Sequence, residues 1–506
     1  MKKIKKALPL IIFVIALLFV VKYLKFDEHL SKRPSSVHVW AQCMRASIAK
    51  NYYEESFNFF YPRLHTVLDG EGITGLEFPF VNYSVAILYK FFGFDEFYFR
   101  GFMMLSLFIG LGFFFFLCNS FIKNTFISLL IVGLCFFSPV LVYYTTNFMP
   151  DVTSLGLVLI GWYMFFRYLK TKKMKFLYWL FLVFTLASLI KVTSLISFCV
   201  LICLLVLDKL RFFNSTNKGL SIINDKKKLI FLIITGFVLV FGWYAYAQWL
   251  SAAYHSNAFT LGTEYAKTKE QFLEVWDMIL KNWEGEYYRP SFYYSLYYML
   301  IIIIVFAKYV SRLLFSITFF TTLGSIAFAL LMFKQFTNHD YYIIPLLPSV
   351  FFLILTFFDL IVRLSNNFFP PIKYVISYLA LLTLFSNAAY SRDHYLDRHS
   401  PNYLQYTGDF SQYYDLETKL RSLGIKKHEV TLVGSDYTYC NGLYLMNQMG
   451  YQFSDYNNVD YLNSLLALKP KYLILNDTSA FNKAYPNNFK DKIIGNHKGL
   501  IIYKLY

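Results

Sequence analysis

The stretch "GFMMLSLFIGLGFFFFLCNSFIKNTFISLLIVGLCFFSPVLVYYTTNFMPDVTS", Gly101 to Ser154, decides the fold class of this chain. Only Lys123 and Asp151 in it carry charge. A helix needs about 20 apolar residues to cross the hydrocarbon of a bilayer. Residues 101–121 and 125–144 each supply such a run, with the polar break at Lys123 between them. Runs of the same kind lie outward from this pair at 7–24, 151–168, 176–190, 193–207, 229–250, 292–310, 313–333, 341–362 and 373–390. The pattern predicts about eleven spans, of which 176–190 and 193–207 are short. The first run opens "MKKIKKALPL" like a signal peptide, but no small-x-small site follows it. It reads as a retained anchor.

Composition agrees. The 506 residues are 57% hydrophobic, 21% aromatic and only 16% charged, with mean hydropathy +0.43. A soluble chain of this length needs a more charged surface. The 56 Phe and 43 Tyr suit lipid-facing helices and interfacial belts. Lys and Arg in short loops set orientation. Lys2, Lys3, Lys5, Lys6, Lys123, Arg167, Lys170, Lys172, Lys173, Lys175, the run 209–228, Lys308, Arg312, Arg363 and Lys373 fall on one side. Connections 145–150 and 334–340 hold only Lys334. The N-terminus is therefore expected in the cytoplasm of a plasma (inner) membrane. Loops 25–100 and 251–290 and the tail after 390 are expected outside. The net charge of +17 fits anionic lipid or a phosphate-bearing substrate. No basic stripe on a soluble domain supports nucleic-acid binding. Cys43 and Cys440 are expected on the outer side, as two free thiols rather than a disulfide. No metal-ligand spacing occurs, so no cofactor is expected, although His38, His65 and His339 lie in outward segments.

The tail changes character. "EVTLVG" (429–434), "YLILND" (472–477) and "LIIYKLY" (500–506) read as strands. Residues 412–424 and 459–469 read as helices, the first stopped by Gly424. The expectation is a transmembrane domain over 1–392, including the first outer loop, and a small α/β domain over 393–506. The polar, basic loop 208–228 is expected to be mobile.

Candidate chemistry lies at the outer ends. The first loop, about 75 residues long, exceeds what a connector needs. Gly70, Gly72 and Gly75 suggest a flexible turn before Glu77 and Pro79, and an amphipathic helix with Tyr83, Ile87 and Leu88 follows. An acid beside an apolar surface is disfavoured in its charged form unless a cation or hydrogen bond holds it. Glu77 is thus a candidate, against the commoner fate of a solvated loop glutamate. Asp151 stands at a helix start, where the dipole alone accounts for an acid. Lys191 lies between two apolar segments and should have a partner, a phosphate or the interface. Asn338, His339, Asp340, Tyr341 and Tyr342 cluster at a span mouth. Adjacent helical residues diverge, so substrate contact is favoured there over a shared metal.

Several of these motifs occur together: "HVWAQ" with Arg45, "NFFYP" with Arg63, "EFPFVNYSVAILYKFFG…FYFRG" ending at Arg100, "MPDVTS" and "HDYYIIPLLP". Over roughly 30–200 and 334–348 the chain resembles the GT-C superfamily of membrane glycosyltransferases. The nearest branch is family 39, with bacterial protein O-mannosyltransferases and lipid A aminoarabinose transferases. The resemblance implies an inverting transferase of the cell envelope. It would take a polyprenyl-phosphate sugar as donor, in contact with membrane lipids. The acceptor would be a lipid, glycan or protein at the outer face. Glu77 would be the base. His38, Gln42, Arg45, Arg63, Asp69, Arg100, Asp151, Lys191, His339, Asp340, Tyr341 and Tyr342 would contact substrate, with Asp69 or Glu71 also placed to help Glu77. The chain departs from the family where Met44 stands at the first loop's expected aspartate, and where Phe78 follows Glu77 in place of a lysine. Three readings stay open: an active transferase, a transferase-like scaffold, and a polysaccharide polymerase or flippase. Polar groups at span ends rather than midplane favour the first.

Overall fold

The computed structural model describes residues 2–67, 71–213, 223–258, 262–400, 403, 410–434, 436, 438–454, 458–476, 481 and 490–506. All eleven apolar stretches are helical. Seven helices are long and apolar enough to cross a membrane: Glu96–Ile122, Asp151–Thr171, Val192–Lys209, Lys226–Ala253, Arg312–Leu331, Asp340–Asn367 and Ile372–Arg398. The chain is an integral membrane protein. Ala7–Tyr23, Met174–Ile190 and Pro290–Val305 are shorter apolar helices. The 125–144 stretch breaks into Thr125–Phe136 and Pro139–Thr145, bent by 88°. The break is written as "SP": Ser138 is extended (φ −99°, ψ 124°), because proline disfavours helix in the residue before it. Counting that pair as one span gives eight.

The chain divides into two compact units. One holds Met1–Leu30, Arg100–Trp243 and Gly262–Asp397; the other holds Ser31–Phe99, Tyr244–Leu261 and Arg398–Tyr506. The first loop clusters with the tail rather than with the spans. The central segment of loop 208–228 lies outside the described residues.

The second unit contains a five-stranded sheet: β1 (Thr431–Gly434), β2 (Gly450–Phe453), β3 (Tyr472–Leu475), β4 (Ile493–His497) and β5 (Leu500–Lys504). The order is β2–β1–β3–β5–β4; β1 is parallel to β2 and β3, and the remaining pairs are antiparallel. Leu432, Leu473, Leu475, Phe453, Leu462 and Tyr503 form its core. β1, β3 and β5 lie within the expected strands, and helices Leu416–Ser422 and Val459–Ala467 lie within the expected helices. β2 and β4 are additions. "GYQF" is short and half polar, and β4 carries a register shift between Ile493 and Gly495. The first loop joins β2: the Gly450 N–H donates to the His65 carbonyl (3.0 Å), and Val67 N–H donates to the Gly450 carbonyl (2.9 Å). A Cβ on Gly450 would stand 1.8 Å from the Thr431 carbonyl oxygen, so only glycine fits there.

Candidate functional site

In the second unit the site begins with the helix Val39–Glu54. His38 precedes it with φ 55°, buried and edge-on to Trp40. Gln42 is fully buried; its Nε2 donates to the Ser35 (2.8 Å) and Val37 (2.9 Å) carbonyls and fixes the chain entering the helix. Both are built into the scaffold. Arg45 faces Glu77 with both arms: Nη2 to Oε1 is 2.9 Å, and Nη1 to Oε2 is 2.6 Å. The side chains are only 16% and 13% exposed. The Nη2–Oε1 contact is a charge-assisted hydrogen bond, and the Nη1–Oε2 contact is an ion pair beside it. Arg45 supplies the cation that a carboxylate beside an apolar surface requires. Asn82 Nδ2 donates to the Arg45 carbonyl at 2.7 Å, tying the helix Phe80–Phe92 to the same place. Met44 is half-buried, one position before Arg45. Neighbours on a helix do not share a direction. Arg63 pairs with Glu71 at 2.6 Å; Asp69 lies outside the described residues.

One sequence expectation changes in this unit. Gly75 does not make a flexible turn: a Cβ there would stand 1.8 Å from the Ala247 carbonyl oxygen, and its N–H donates to Ser251 Oγ (3.1 Å). His65 is fully buried, with Nδ1 2.7 Å from Ser47 Oγ and Nε2 3.1 Å from Asn447 Oδ1. Burial first, then the charges of Lys427 and Lys50, hold its pKa well below the usual histidine range. The ring is therefore neutral at physiological pH. Cys43 and Cys440 are buried and not bonded to each other.

In the first unit the polar cluster forms where apolar helices begin and end. Asp151 opens the helix Asp151–Thr171 and is fully buried. Lys191 follows the helix Met174–Ile190 in an extended conformation (φ −147°, ψ 110°). Its Nζ lies 3.1 Å from Asp151 Oδ1, with the side chains 13% and 0% exposed. The same ammonium lies 5.6 Å from the Tyr341 ring centre and 5.9 Å from that of Tyr342. Both are within reach of the attraction between a cation and an aromatic face. Beside the pair, Ser154 Oγ donates to the Ala187 carbonyl (2.9 Å) and meets Ser194 Oγ at 2.7 Å, fixing the chain on both sides of Lys191. Tyr144 Oη donates to Asp340 Oδ1 at 2.7 Å. His339 Nδ1 faces the Gln335 carbonyl at 3.1 Å. Arg100 is buried; it donates to the Thr146 carbonyl (2.6 Å) and lies over Phe148, tying backbone together.

Thus Asp151, Lys191, Tyr341 and Tyr342 converge, and so do Arg45 and Glu77. The His339 ring packs against Tyr341 (5.4 Å) and Tyr342 (5.6 Å), and Asp340 accepts from Tyr144. Tyr144 was missed: it lies 196 positions from Asp340, and no spacing links them. Also missed was His394, whose Nδ1 lies 2.9 Å from Glu286 Oε1. The only sequence signal there was an aromatic–histidine spacing of one helical turn, Tyr390 to His394. Among the described residues, no three His, Cys, Asp or Glu side chains gather as metal ligands would.

No protein-family model and no curated protein matches the sequence. Solved structures do. ArnT from Cupriavidus metallidurans, in the apo state and bound to undecaprenyl phosphate, matches at a TM-score of 0.56 and 12% identity, over 98% of this chain and 97% of that one. The Archaeoglobus fulgidus oligosaccharyltransferase, solved with Zn and sulfate, matches at 0.55 and 13% identity, over 92% of this chain and 67% of that one. Both are GT-C proteins, and the chain shares their fold. Identities this low speak for the fold alone.

Proposed function

We propose that this chain is a glycosyltransferase that takes its sugar from a polyprenyl-phosphate carrier and hands it to an acceptor hydroxyl at the outer face of the membrane. The observation that carries the reading is the buried Lys191–Asp151 pair under Tyr341 and Tyr342. It puts a cation at the end of apolar helices, in a fold shared with a protein solved with undecaprenyl phosphate. The acceptor oxygen would bond to the anomeric carbon as the bond from that carbon to the phosphate oxygen breaks. The lipid phosphate would leave with added negative charge, which Lys191 offsets. The acceptor's proton would pass to a carboxylate. Glu77 is assigned that role, because Arg45 holds its carboxylate in place. The reading carries with it eleven spans, a cytoplasmic N-terminus and an extracytoplasmic tail domain.

The test is incubation of the purified protein with radiolabelled undecaprenyl-phosphate sugars, with and without envelope glycolipid. Sugar release by wild type that Glu77→Gln lacks supports the reading and identifies the donor. Equal release by both proteins removes Glu77 from the mechanism. No release from any donor leaves the second reading, a scaffold with this fold and no catalysis. Two observations favour that alternative: both oxygens of Glu77 meet Arg45, and Met44 replaces the expected acid.

A further inference from the structure

Two neighbouring cavities in the first unit differ in character. The apolar one, a groove of about 550 Å³, is lined by residues such as Ala16, Leu129, Gly133, Leu384 and Phe385, with no charged side chain. It lies between the helices Ala7–Tyr23, Thr125–Phe136 and Ile372–Arg398. At Phe126 and Leu381 it meets a second cavity of about 570 Å³, which those two residues also line. There the lining includes Lys123, Arg363, Lys373 and Asp359. Three cations against one carboxylate leave a net lining charge of +2 (3 − 1). Asp359 is buried and accepts from Arg363 Nε at 2.7 Å.

The bland reading is that lysines at helix ends extend toward the headgroups. Two features go beyond it. The cations line a cavity rather than a convex rim, and that cavity shares Phe126 and Leu381 with an apolar groove. Lys123 is also held in place. It ends the helix Glu96–Ile122 with φ 54°, and the next residue, Asn124, caps Thr125–Phe136 by accepting the Ile127 N–H at 3.1 Å. Along that first helix Lys123 lies 23 residues from Arg100, roughly 35 Å at the usual rise. The charged cavity is therefore remote from Arg100 and its Thr146 contact.

We propose that the groove holds one anionic phospholipid of the bilayer, with its phosphodiester among Lys123, Arg363 and Lys373 and an acyl chain along the apolar part. Charge at one end and hydrocarbon for the rest is the lipid's own pattern, and basic pockets between spanning helices suit anionic headgroups. The assignment does not depend on the transferase reading.

The test is native mass spectrometry of the full-length protein in mild detergent, titrated separately with phosphatidylglycerol, phosphatidylethanolamine and undecaprenyl phosphate. One phosphatidylglycerol should bind about tenfold tighter than the zwitterionic lipid. Lys123→Glu with Lys373→Glu should remove that preference, and Ala16→Phe, which fills the groove with both lysines intact, should weaken phosphatidylglycerol by about tenfold. Equal binding of the two phospholipids overturns the proposal. So does an unchanged preference in the double variant, full binding by Ala16→Phe, or a preference for undecaprenyl phosphate.

Discussion

Arg45 grips Glu77 through two contacts of 2.6 and 2.9 Å, whereas Lys191 meets Asp151 through one oxygen at 3.1 Å and lies near two tyrosine rings. Both pairs are largely buried, yet their chemistry differs. A guanidinium is a planar fork that fixes a carboxylate's direction, and an ammonium is a compact point charge on a flexible stem. The Arg45 pair therefore orients an anion. The Lys191 pair positions a cation, held by an acid that the helix dipole also favours in its charged form. Burying either pair is unfavourable unless the geometry is good, and removing one partner is worse than removing both. On the proposed reading, the carboxylate is the working group of the first pair and the cation that of the second.

The largest effect should come from breaking the first pair. Glu77→Gln keeps the shape and removes the proton acceptor. Turnover should fall by about a hundredfold to ten-thousandfold, with the melting temperature in detergent changed far less. A fall in melting temperature with turnover per folded molecule intact would reduce the Arg45–Glu77 pair to a structural tie.

Breaking the second pair from its acid side should appear in stability. Asp151→Asn removes the carboxylate that faces the buried Lys191 and should destabilise the protein by about 3–5 kcal/mol. Thermal unfolding in detergent checks this. A change below about 1 kcal/mol would mean that the ammonium reaches solvent, as exposed pairs do.

The two pairs were legible to different degrees. Long apolar runs are a strong signal: seven of the expected spans are helices long and apolar enough to cross a membrane, three are shorter apolar helices, and one is a bent pair. The break at Pro139 was readable from proline's effect on its neighbour but was passed over as part of one run. Lys191 was singled out because a buried lysine needs a partner, and Asp151 because it opens a helix; their pairing across 40 positions was not. Arg45 and Glu77 were both named, and what joined them was the fold of the first loop. That loop was assigned to the spans because it follows one in sequence. Its backbone pairs instead with Gly450, a contact between distant residues that no local periodicity encodes. β2 escaped for a related reason: four residues with two polar side chains carry little strand signal of their own.

Removing the cation of the second pair should give a smaller and more specific effect. Lys191→Ala should raise KM for the lipid donor by about tenfold, with kcat lowered less, because a phosphate contact exists already in the bound ground state. Lys191→Arg keeps the charge but changes its shape, and should recover part of the loss. An unchanged KM would remove the phosphate from Lys191 and leave the pair as a structural tie between helices.

The smallest effect expected is also the sharpest test of the first pair. Met44 and Arg45 are neighbours on one helix, so an acid at 44 points away from the guanidinium that faces Glu77. If Glu77 is the working carboxylate, Met44→Asp should change sugar release by no more than about twofold, the range of a substitution that touches no special feature. In Glu77→Gln it should restore nothing. A scaffold that lost its base predicts the reverse: no release from wild type, and release from Met44→Asp whether or not Glu77 is present. Measuring both variants singly and together separates the two readings, because only a displaced carboxylate makes activity depend on position 77 and not on position 44.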